Sequence, residues 1–416
     1  MVERADAEKR VLLITNNLPP VRGGSGIVYD ALARAAAGRI VAVAPSLSYQ
    51  DGLPLIGWRE HDRLAPYPVI RLSLLRTVMR EAGPRRMRRV RFLMQEASIR
   101  AWLLVTLVRC LLRDRISVVC IGELIASAWV FDVLRLFPSV TRVVYVHGEE
   151  ITTQDDYDVS KERRRRALMA AHHIIVVSRF TATVVADLLG DAATSRIRLI
   201  ENGVDVGRFR PVVRRPELVA RHGLENCFVF VSVCRLLEKK GVDQTIRAFA
   251  RIVAQYPDSR LLIVGDGPYR MALEALAVAS GVAEQVSFTG AVADDELVDH
   301  YALGDVFVMP NRKLANGDTE GFGLVFLEAN ACGLPVIAGS DGGSKDAVQH
   351  GVNGLLVDGN SVDAVASAML VLRQDPALRE QLRDGGHAAA AAADWRHKAR
   401  AFLAMFDQEP DDGGAR

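Results

Sequence analysis

The sequence contains few cysteines, and their spacing does not suit a structural role. Five cysteines occur among 416 residues, without a Cys-x-x-Cys pair and without histidines at the intervals of a zinc site. This pattern excludes a disulfide-stapled scaffold and the zinc-finger class. We therefore expect a reduced, cytoplasmic protein that needs neither a bound metal nor another cofactor.

Long apolar runs are also missing. The most apolar stretch, 101–108, continues past Arg109 only to Leu112, whereas a membrane-spanning helix needs about 20 apolar residues. Residues 1–10 are charged and do not resemble a signal peptide. We expect a protein that can contact the inner face of the plasma membrane but does not cross it.

The chain has little net charge, +2 overall, but positive charge is concentrated in one segment. Residues 71–115 contain twelve arginines and three acidic residues, a local net charge of +9. Proteins that bind single-stranded nucleic acid interleave such charge with aromatic side chains, and here only Phe92 and Trp102 occur. We therefore expect no nucleic-acid partner.

The arrangement of apolar segments predicts an α/β fold. Short apolar runs alternate with helical patterns along the chain, which is typical of doubly wound parallel sheets, and the length exceeds what one core usually supports. The runs that we predict as strands are 11–15, 40–44, 118–121, 142–146, 174–177 and 197–200 in the first half, and 228–233, 261–264, 286–289, 306–309 and 336–338 in the second.

A segment rich in proline and arginine, 207–216, predicts a linker between two domains. On this basis 1–206 and 217–393 each form a Rossmann-like domain, and the two face a deep cleft. We expect the last helical segment, 394–407, to pack back on the first domain, and the polar tail, 408–416, to be disordered. Ligands of such sheets bind at the carboxyl ends of the strands.

The most informative motif is 320–328, Glu-Gly-Phe-Gly-Leu-Val-Phe-Leu-Glu. It follows a predicted strand and opens a helix, so its two carboxylates flank a helix N-terminus, whose free N–H groups bind anions. Glu320 and Glu328 would lie about 10 Å apart, which suits sugar hydroxyls at Glu320, phosphates at the N–H groups of 323–325, and a ribose at Glu328. The alternative is an acid at a helix start and a solvated glutamate.

Three further segments follow predicted strands. Arg235 and Lys240 come after 228–233 and could neutralise a departing diphosphate, unless they form only a solvated basic turn. The glycines at 23–26 let the backbone approach a phosphate or sugar closely, although a flexible surface turn has the same composition. His147 follows 142–146 and would face the cleft, or is a satisfied loop residue.

Together these motifs resemble those of the retaining GT-B glycosyltransferases of family 4, which include phosphatidylinositol mannosyltransferases and lipopolysaccharide and exopolysaccharide enzymes. The resemblance covers nearly the whole chain and is strongest over 228–358. The residues that carry it are Arg235 with Lys240-Gly241, Val264-Gly-Asp-Gly-Pro268, Phe288-Thr-Gly290, Glu320 through Glu328, and Ala331-Cys-Gly-Leu-Pro335.

The resemblance implies roles for individual residues. Arg235 and Lys240 would bind the diphosphate, Glu320 would contact the donor sugar, and His147 would lie near the transferred sugar. Glu328 would hold the ribose. The other residues implied to contact the donor are Gly24, Gly265, Gly290, Ala291, Gly321, Phe322, Gly323, Leu324 and Val325, with the backbone at 290–291 reading the base.

The resemblance also implies the reaction. A hexose from GDP-mannose or a UDP-sugar would pass to a lipid-linked or glycan acceptor held by the N-terminal domain, in cell-envelope or exopolysaccharide biosynthesis. Transfer would need no metal and would retain the anomeric configuration, with the acceptor attacking on the face that the diphosphate leaves. Two alternatives stay open: a GT-B sugar-nucleotide epimerase, and a glycosyltransferase that acts on a soluble small molecule.

The arginine-rich segment 80–91 predicts a contact with an anionic membrane surface. It contains six arginines, with Met79, Met87 and Phe92–Met94 beside or among them. On a helix this mixture gives a basic face and an apolar face, the composition of segments that lie on anionic bilayers. The alternative is a solvated basic face.

Overall fold

The computed structural model describes residues 8–21, 23–78, 85–153, 158 and 161–407, with the backbone alone at 85–86 and 191–193. The first half alternates strands and helices. Its elements are β1 (Arg10–Ile14), α1 (Gly24–Ala35), β2 (Ile40–Pro45), α2 (Trp58–Leu64), β3 (Val69–Leu72), α3 (Arg85–Arg113), β4 (Ile116–Ile121), α4 (Trp129–Leu134), β5 (Thr141–Val146), α5 (Glu149–Thr152), α6 (Glu162–Ala170), β6 (His173–Val176), α7 (Arg179–Leu189) and β7 (Ile197–Leu199).

The second half repeats this alternation. Its elements are α8 (Pro216–His222), β8 (Phe228–Val233), α9 (Val242–Val253), β9 (Ser259–Val264), α10 (Arg270–Ala279), β10 (Val286–Gly290), α11 (Leu297–Ala302), β11 (Val306–Met309), α12 (Leu324–Ala331), β12 (Val336–Gly339), α13 (Ser344–Ala347), β13 (Gly354–Val357), α14 (Val362–Gln374), α15 (Pro376–Ala392) and α16 (Trp395–Asp407). The strands form one sheet in each half.

Both sheets are parallel throughout their described pairings. The first has seven strands in the order β3-β2-β1-β4-β5-β6-β7, and the second has six in the order β10-β9-β8-β11-β12-β13. Central strands such as β2 and β11 are buried at every position, because helices cover both faces of a parallel sheet. The predicted α/β class with two doubly wound sheets is confirmed.

The strand order of each sheet reverses next to its first strand. The reversal lies between β1 and β4 in the first sheet and between β8 and β11 in the second. Loops that leave the carboxyl ends of such strands diverge to opposite faces and open a crevice, where doubly wound folds bind ligands. The residues after β1, β4, β8 and β11 are therefore the ones positioned for function.

The chain crosses between the two sheets twice. It crosses first after β7, through the segment that precedes α8, and again where α15 gives way to α16. The two crossings are joined, because the Val204 N–H donates to the Ala393 carbonyl (2.9 Å) and the Trp395 N–H donates to the Val204 carbonyl (3.3 Å). Beyond them α16 packs on α1, and Arg39 forms an ion pair with Asp407.

The sequence pattern did not resolve every element. The helical pattern over 377–406 divides into α15 and α16, because the Asp394 carboxylate accepts a hydrogen bond from the Arg396 N–H (2.7 Å) and starts a new helix. Edge strands β3 and β13 were not predicted; most of their residues are only half-buried. The predicted tail, 408–416, lies outside the described residues.

Candidate active site

A buried ion pair lies where the two crevices meet. Lys240, in the short turn after β8, pairs with Glu320, in the loop that leads from β11 to α12. Burial disfavours both charges, yet the pKa of Lys240 is raised and that of Glu320 is lowered, because each charge stabilises the other. The pair therefore stays ionised, with a cation and a carboxylate fixed side by side.

His147 approaches this pair from the other domain. It is the first residue after β5, and its ring stacks on Tyr145 with the centroids 5.1 Å apart. Burial lowers the pKa of His147 to about 3, so the imidazole is neutral at physiological pH. Its Nε2 atom is buried without a hydrogen-bond partner among the described residues, and this leaves it available to a substrate hydroxyl.

The backbones of the two domains touch at this point. A Cβ atom on Gly321 would overlap the carbonyl oxygen of His147, and one on Gly148 would lie 3.2 Å from the Gly321 Cα. Only a residue without a side chain at position 321 permits this approach. The contact brings Glu320 and His147, which are 173 positions apart in sequence, to opposite sides of one narrow cleft.

The N-terminus of α12 faces the cleft beside Glu320. Gly323 precedes it with φ of +90°, in the left-handed region, and a Cβ there would overlap the Phe326 ring. Leu324 and Val325 are the first helical residues, so their N–H groups have no acceptor within the helix. Phe322 is buried, and it anchors the turn that exposes these donors.

Glu328 lies in the next turn of α12 and is only 7% exposed. Its carboxylate accepts a hydrogen bond from the Tyr301 hydroxyl (2.7 Å). Burial raises the pKa of Glu328, and the Tyr301 hydrogen bond partly offsets this effect. The expected eight-residue spacing thus places Glu328 on α12, the helix whose N-terminus follows Glu320. The Tyr301 hydroxyl fixes the position of the Glu328 carboxylate.

The remaining predicted residues border the same crevice at different depths. Gly265 and Gly290 end neighbouring strands and are joined by the Gly265 N–H to Gly290 carbonyl hydrogen bond (2.9 Å), with Ala291 exposed next to them. Arg235 is exposed at the end of β8. Gly24 begins α1, in the domain opposite.

The structure adds three polar groups that the motifs did not single out. Lys239 is buried between Asp318 (2.7 Å) and Glu149 (3.9 Å), so it bridges the two domains. Asn16 and Glu123 follow β1 and β4 and lie close together at the cleft. Each is one polar residue in an ordinary loop, and only the strand order shows that they are neighbours.

Comparison with known proteins accounts for both halves of the chain. The family model described as Glycosyltransferase Family 4 matches residues 22–208, and the model described as Glycosyl transferases group 1 matches residues 215–388. A GDP-mannose-dependent alpha-(1-6)-phosphatidylinositol monomannoside mannosyltransferase from Mycobacterium tuberculosis is 36% identical over 373 residues, which are 88% of this chain and 89% of that protein. The chain belongs to glycosyltransferase family 4.

Two further proteins agree with this assignment. A GDP-mannose-dependent monoacylated alpha-(1-6)-phosphatidylinositol monomannoside mannosyltransferase from Corynebacterium glutamicum is 28% identical over 410 residues, 97% of this chain and 99% of that protein. The crystal structure of HepE from Anabaena in complex with UDP and glucose superposes with a TM-score of 0.74 at 20% identity, covering 96% of this chain and all of that one. The predicted GT-B fold is confirmed, and the protein is a hexosyltransferase.

Two kinds of feature are absent from the described residues of the glycosyltransferase. In that part of the chain, no three His, Cys, Asp or Glu side chains are grouped so that they could hold a metal ion. No described helix is long and apolar enough to cross a membrane.

Proposed function

We propose that this glycosyltransferase transfers mannose from GDP-mannose to a phosphatidylinositol mannoside, with retention of the anomeric configuration. The observation that carries the proposal is the Lys240–Glu320 pair opposite neutral His147, in a chain 36% identical over most of its length to an enzyme named for this donor and acceptor. The acceptor would approach from the N-terminal domain, and the donor would bind to the C-terminal domain.

The leaving group of this reaction is a nucleoside diphosphate, whose negative charge grows as the bond to the sugar breaks. Lys240 and Arg235, with the N–H groups of residues 323–325 at the start of α12, would stabilise that charge electrostatically. Positive protein groups can thereby replace the metal ion that many transferases use. We therefore expect transfer to proceed without a divalent cation.

Retention requires the acceptor to enter on the face that the diphosphate leaves, or a covalent intermediate on a carboxylate. Neither carboxylate beside His147 suits the second route. Both oxygens of Glu150 accept backbone N–H groups, from His147 (2.6 Å) and Gly148 (3.1 Å), and Glu149 turns toward Lys239. We favour same-face attack, in which a phosphate oxygen takes the proton of the acceptor hydroxyl.

Further contacts complete the proposed donor site. Glu320 would bind hydroxyls of the transferred mannose, and His147 would hydrogen-bond the same ring from the opposite wall. Glu328 would accept the ribose hydroxyls, and the backbone of Gly290 and Ala291 would contact the base. Gly24 and Gly265 would give the donor room to approach the backbone.

The experiment is a transfer assay with purified protein, GDP-mannose and phosphatidylinositol monomannoside in mixed micelles, with and without chelator. We expect mannose transfer in both conditions and an α-linkage in the product by NMR. Lys240→Ala should weaken GDP binding about tenfold to a hundredfold, the effect of losing a charge-assisted hydrogen bond. Lys345→Ala, which removes an exposed lysine of the same domain, is the control.

Four outcomes would contradict the proposal. Transfer from UDP-glucose but not from GDP-mannose would exclude the donor, and an isomer formed from GDP-mannose alone would favour an epimerase. Transfer to deacylated acceptor as fast as to the micellar lipid would favour a soluble substrate. Unchanged GDP affinity in Lys240→Ala would exclude the diphosphate role of Lys240.

We also propose that α3 contacts the membrane that contains the acceptor. Residues 80–84 of the predicted segment lie outside the described residues, but α3 continues the pattern from Arg85 onward. Leu103, Leu107 and Cys110 attach it to the core. On the opposite side runs an apolar stripe of Met87, Val90, Met94, Val105 and Leu112, each more than half exposed.

Arginine accompanies this stripe along the helix. Arg88, Arg91 and Arg109 are exposed, and by helical spacing Arg91 and Arg109 lie beside the stripe. A helix of 29 residues is about 44 Å long, enough for several headgroup contacts. Apolar residues flanked by basic ones suit an anionic bilayer, to which each arginine near the surface adds about 1 kcal/mol.

Vesicle co-sedimentation tests this contact. We expect binding to anionic and not to neutral vesicles, and weaker binding at high salt because exposed charges are screened. Met94→Ser with Val105→Ser should weaken it severalfold. The matched control is Met271→Ser with Val278→Ser, which changes the same residue types at exposed sites on α10. Equal effects of the two double variants would show that α3 is not the contact.

A further inference from the structure

Two polar residues that the proposed donor site does not use, Asn16 and Glu123, lie beside His147 on the N-terminal wall of the cleft. Asn16, Glu123 and His147 follow β1, β4 and β5, which are neighbours in the sheet. Adjacent strands are about 4.8 Å apart, so these three positions span about 10 Å along the edge of the sheet. This is the width of a six-membered ring with its hydroxyl groups, laid beside the transferred sugar.

One oxygen of the Glu123 carboxylate is fixed by the protein and the other is not. Oε1 accepts hydrogen bonds from the Asn16 N–H (2.7 Å) and the Thr15 hydroxyl (3.0 Å). Oε2 is out of contact with solvent and has no partner among the described residues. The carboxylate is thus held in one orientation with an acceptor atom left over.

The side chain of Asn16 also has buried polar atoms without a partner. The residue is 2% exposed, and its side-chain amide lies close enough to lower the pKa of Glu123. Yet neither Oδ1 nor Nδ2 forms a hydrogen bond of ordinary geometry with the part of the chain that the structure describes. Buried polar groups are paired in the great majority of cases, so one amide donor and one amide acceptor beside a free carboxylate oxygen indicate a ligand.

The charge around these atoms defines what kind of ligand fits. The carboxylate of Glu150 lies close enough for its charge to raise the pKa of Glu123 further, in addition to burial, which is the larger cause. Among the described residues no lysine or arginine forms an ion pair with either carboxylate. A phosphate would be repelled here. A neutral hydroxyl group can donate to Glu123 Oε2 or Asn16 Oδ1 and accept from Asn16 Nδ2.

The groups beneath the cluster keep it in place without facing the ligand. The Tyr29 ring fills the space below Gly122, where a Cβ would overlap it, and the Tyr29 hydroxyl donates to the Gly122 carbonyl (3.0 Å). Gly122 is the residue before Glu123, so Tyr29 supports the loop that carries the carboxylate.

We propose that Asn16 and Glu123 form the subsite for the hydroxyl groups of the acceptor ring, and that this ring is a neutral polyol. The inference rests on the proposed transfer reaction and adds to it the chemical class of the group bound next to His147. Hydrogen bonds from two ring hydroxyls to Glu123 Oε2 and Asn16 Oδ1 would orient a third hydroxyl toward the donor sugar.

The first test measures binding without catalysis, by saturation-transfer NMR with myo-inositol and with methyl α-mannoside in the presence of GDP. At least one polyol should receive saturation from the wild-type protein, and Glu123→Gln and Asn16→Ala should each abolish it. Above pH 7, where Glu123 is ionised, the glutamine variant keeps an oxygen that accepts the Oε1 hydrogen bonds but places an N–H donor where Oε2 was an acceptor. Alanine removes the Asn16 amide, which lies close to Glu123 but forms no hydrogen bond of ordinary geometry with the described residues.

The second test compares kinetic constants. Each variant should raise the acceptor KM about tenfold to a hundredfold, the loss expected for a hydrogen bond to a charged or buried group, and leave the donor KM and the GDP affinity within twofold. Tyr29→Phe removes support from the same loop without changing a ligand-facing atom, so it should lower stability and leave the acceptor KM within threefold.

The inference is overturned if neither polyol receives saturation from the wild type, or if both variants keep the wild-type signal. An acceptor KM that rises as much in Tyr29→Phe as in Glu123→Gln would show a purely structural role. A polyol signal that depends on Glu123 in a protein that does not use GDP-mannose would support the subsite and contradict the proposed donor.

Discussion

At the scale of residues, Glu320 and Glu328 have different partners and should affect different kinetic constants. Glu320 is paired with Lys240 opposite His147, where a contact can strengthen as the sugar loses its diphosphate. Glu328 accepts a hydrogen bond from Tyr301 one turn into α12, away from the bond between the sugar and the diphosphate. Contacts made equally in the ground and transition states affect KM, and those made only in the transition state affect kcat.

We expect Glu320→Gln to lower kcat by at least about tenfold with the donor KM within threefold, and Glu328→Ala to raise the donor KM about tenfold with kcat within threefold. Initial rates at varied GDP-mannose measure both. Glu328→Gln is the control, since its amide oxygen can still accept from Tyr301. If both variants change both constants alike, the two carboxylates do not have separate roles.

The burial of Glu123 makes stability depend on pH. Burial raises its pKa to about 7, from an ordinary 4.5. Between pH 4.5 and pH 7 the folded protein therefore keeps a proton on Glu123 that the unfolded chain has released. The contribution of Glu123 to stability is therefore fully present below pH 4.5 and is lost as pH rises through 7. The full loss is about 3 kcal/mol at about 1.4 kcal/mol for each pKa unit.

Glutamine does not titrate, so Glu123→Gln should remove this loss. We expect the melting temperature of the variant minus that of the wild type to be a few degrees larger at pH 8 than at pH 5. Glu96→Gln, at a partly exposed position on α3, should show no such change. A difference between Glu123→Gln and wild type that is the same at both pH values would mean that Glu123 titrates normally in the folded protein.

At the scale of elements, the strands could be predicted because a doubly covered parallel strand is a short, uninterrupted apolar run. The β8 and β11 bounds coincide with 228–233 and 306–309. The edge strands β3 and β13 were missed because their half-buried residues carry a weaker apolar signal. The break before α16 was missed because the local cap at Asp394 acts together with a pairing to Val204, which is far away in sequence.

The residues of the candidate site also fall into those that the sequence predicted and those that it did not. Glu320, Lys240 and His147 could be proposed because each sits in a recognisable local pattern at the end of a strand. Asn16 and Glu123 could not, because nothing in their loops marks them, and Lys239 was not distinguished from Lys240, its neighbour in the same basic turn. Asn16 and Glu123 become neighbours through the β1–β4 pairing, and Lys239 meets Glu149 only when the two domains are in contact.

At the scale of the whole molecule, the proposed transfer requires both walls of the cleft to be in contact. Gly321 lies against the His147 carbonyl oxygen, and a methyl group there would force the walls apart. We expect Gly321→Ala to bind GDP within threefold of wild type, because the groups proposed to hold the diphosphate and the ribose all lie in the C-terminal domain. Its kcat should fall about tenfold to a hundredfold, the cost of overpacking a close contact being about 1–3 kcal/mol.

Calorimetric titration with GDP and a transfer assay measure the two effects. Gly207→Ala is the control, since its added Cβ would meet only the Asp205 carboxylate, at 3.2 Å. Wild-type kcat in Gly321→Ala would show that the chemical step does not need this backbone contact.

The two chain crossings have a mechanical consequence. A single linker would leave the domains free to swing and twist in any direction, but here two adjacent segments are tied to each other at Val204, Ala393 and Trp395. Two such connections side by side resist twisting of one domain against the other more than a single linker does, and this favours closure by bending at the hinge. Acceptor and donor bound on opposite walls would then meet along a restricted path, which favours attack on one face of the sugar before the substrates touch.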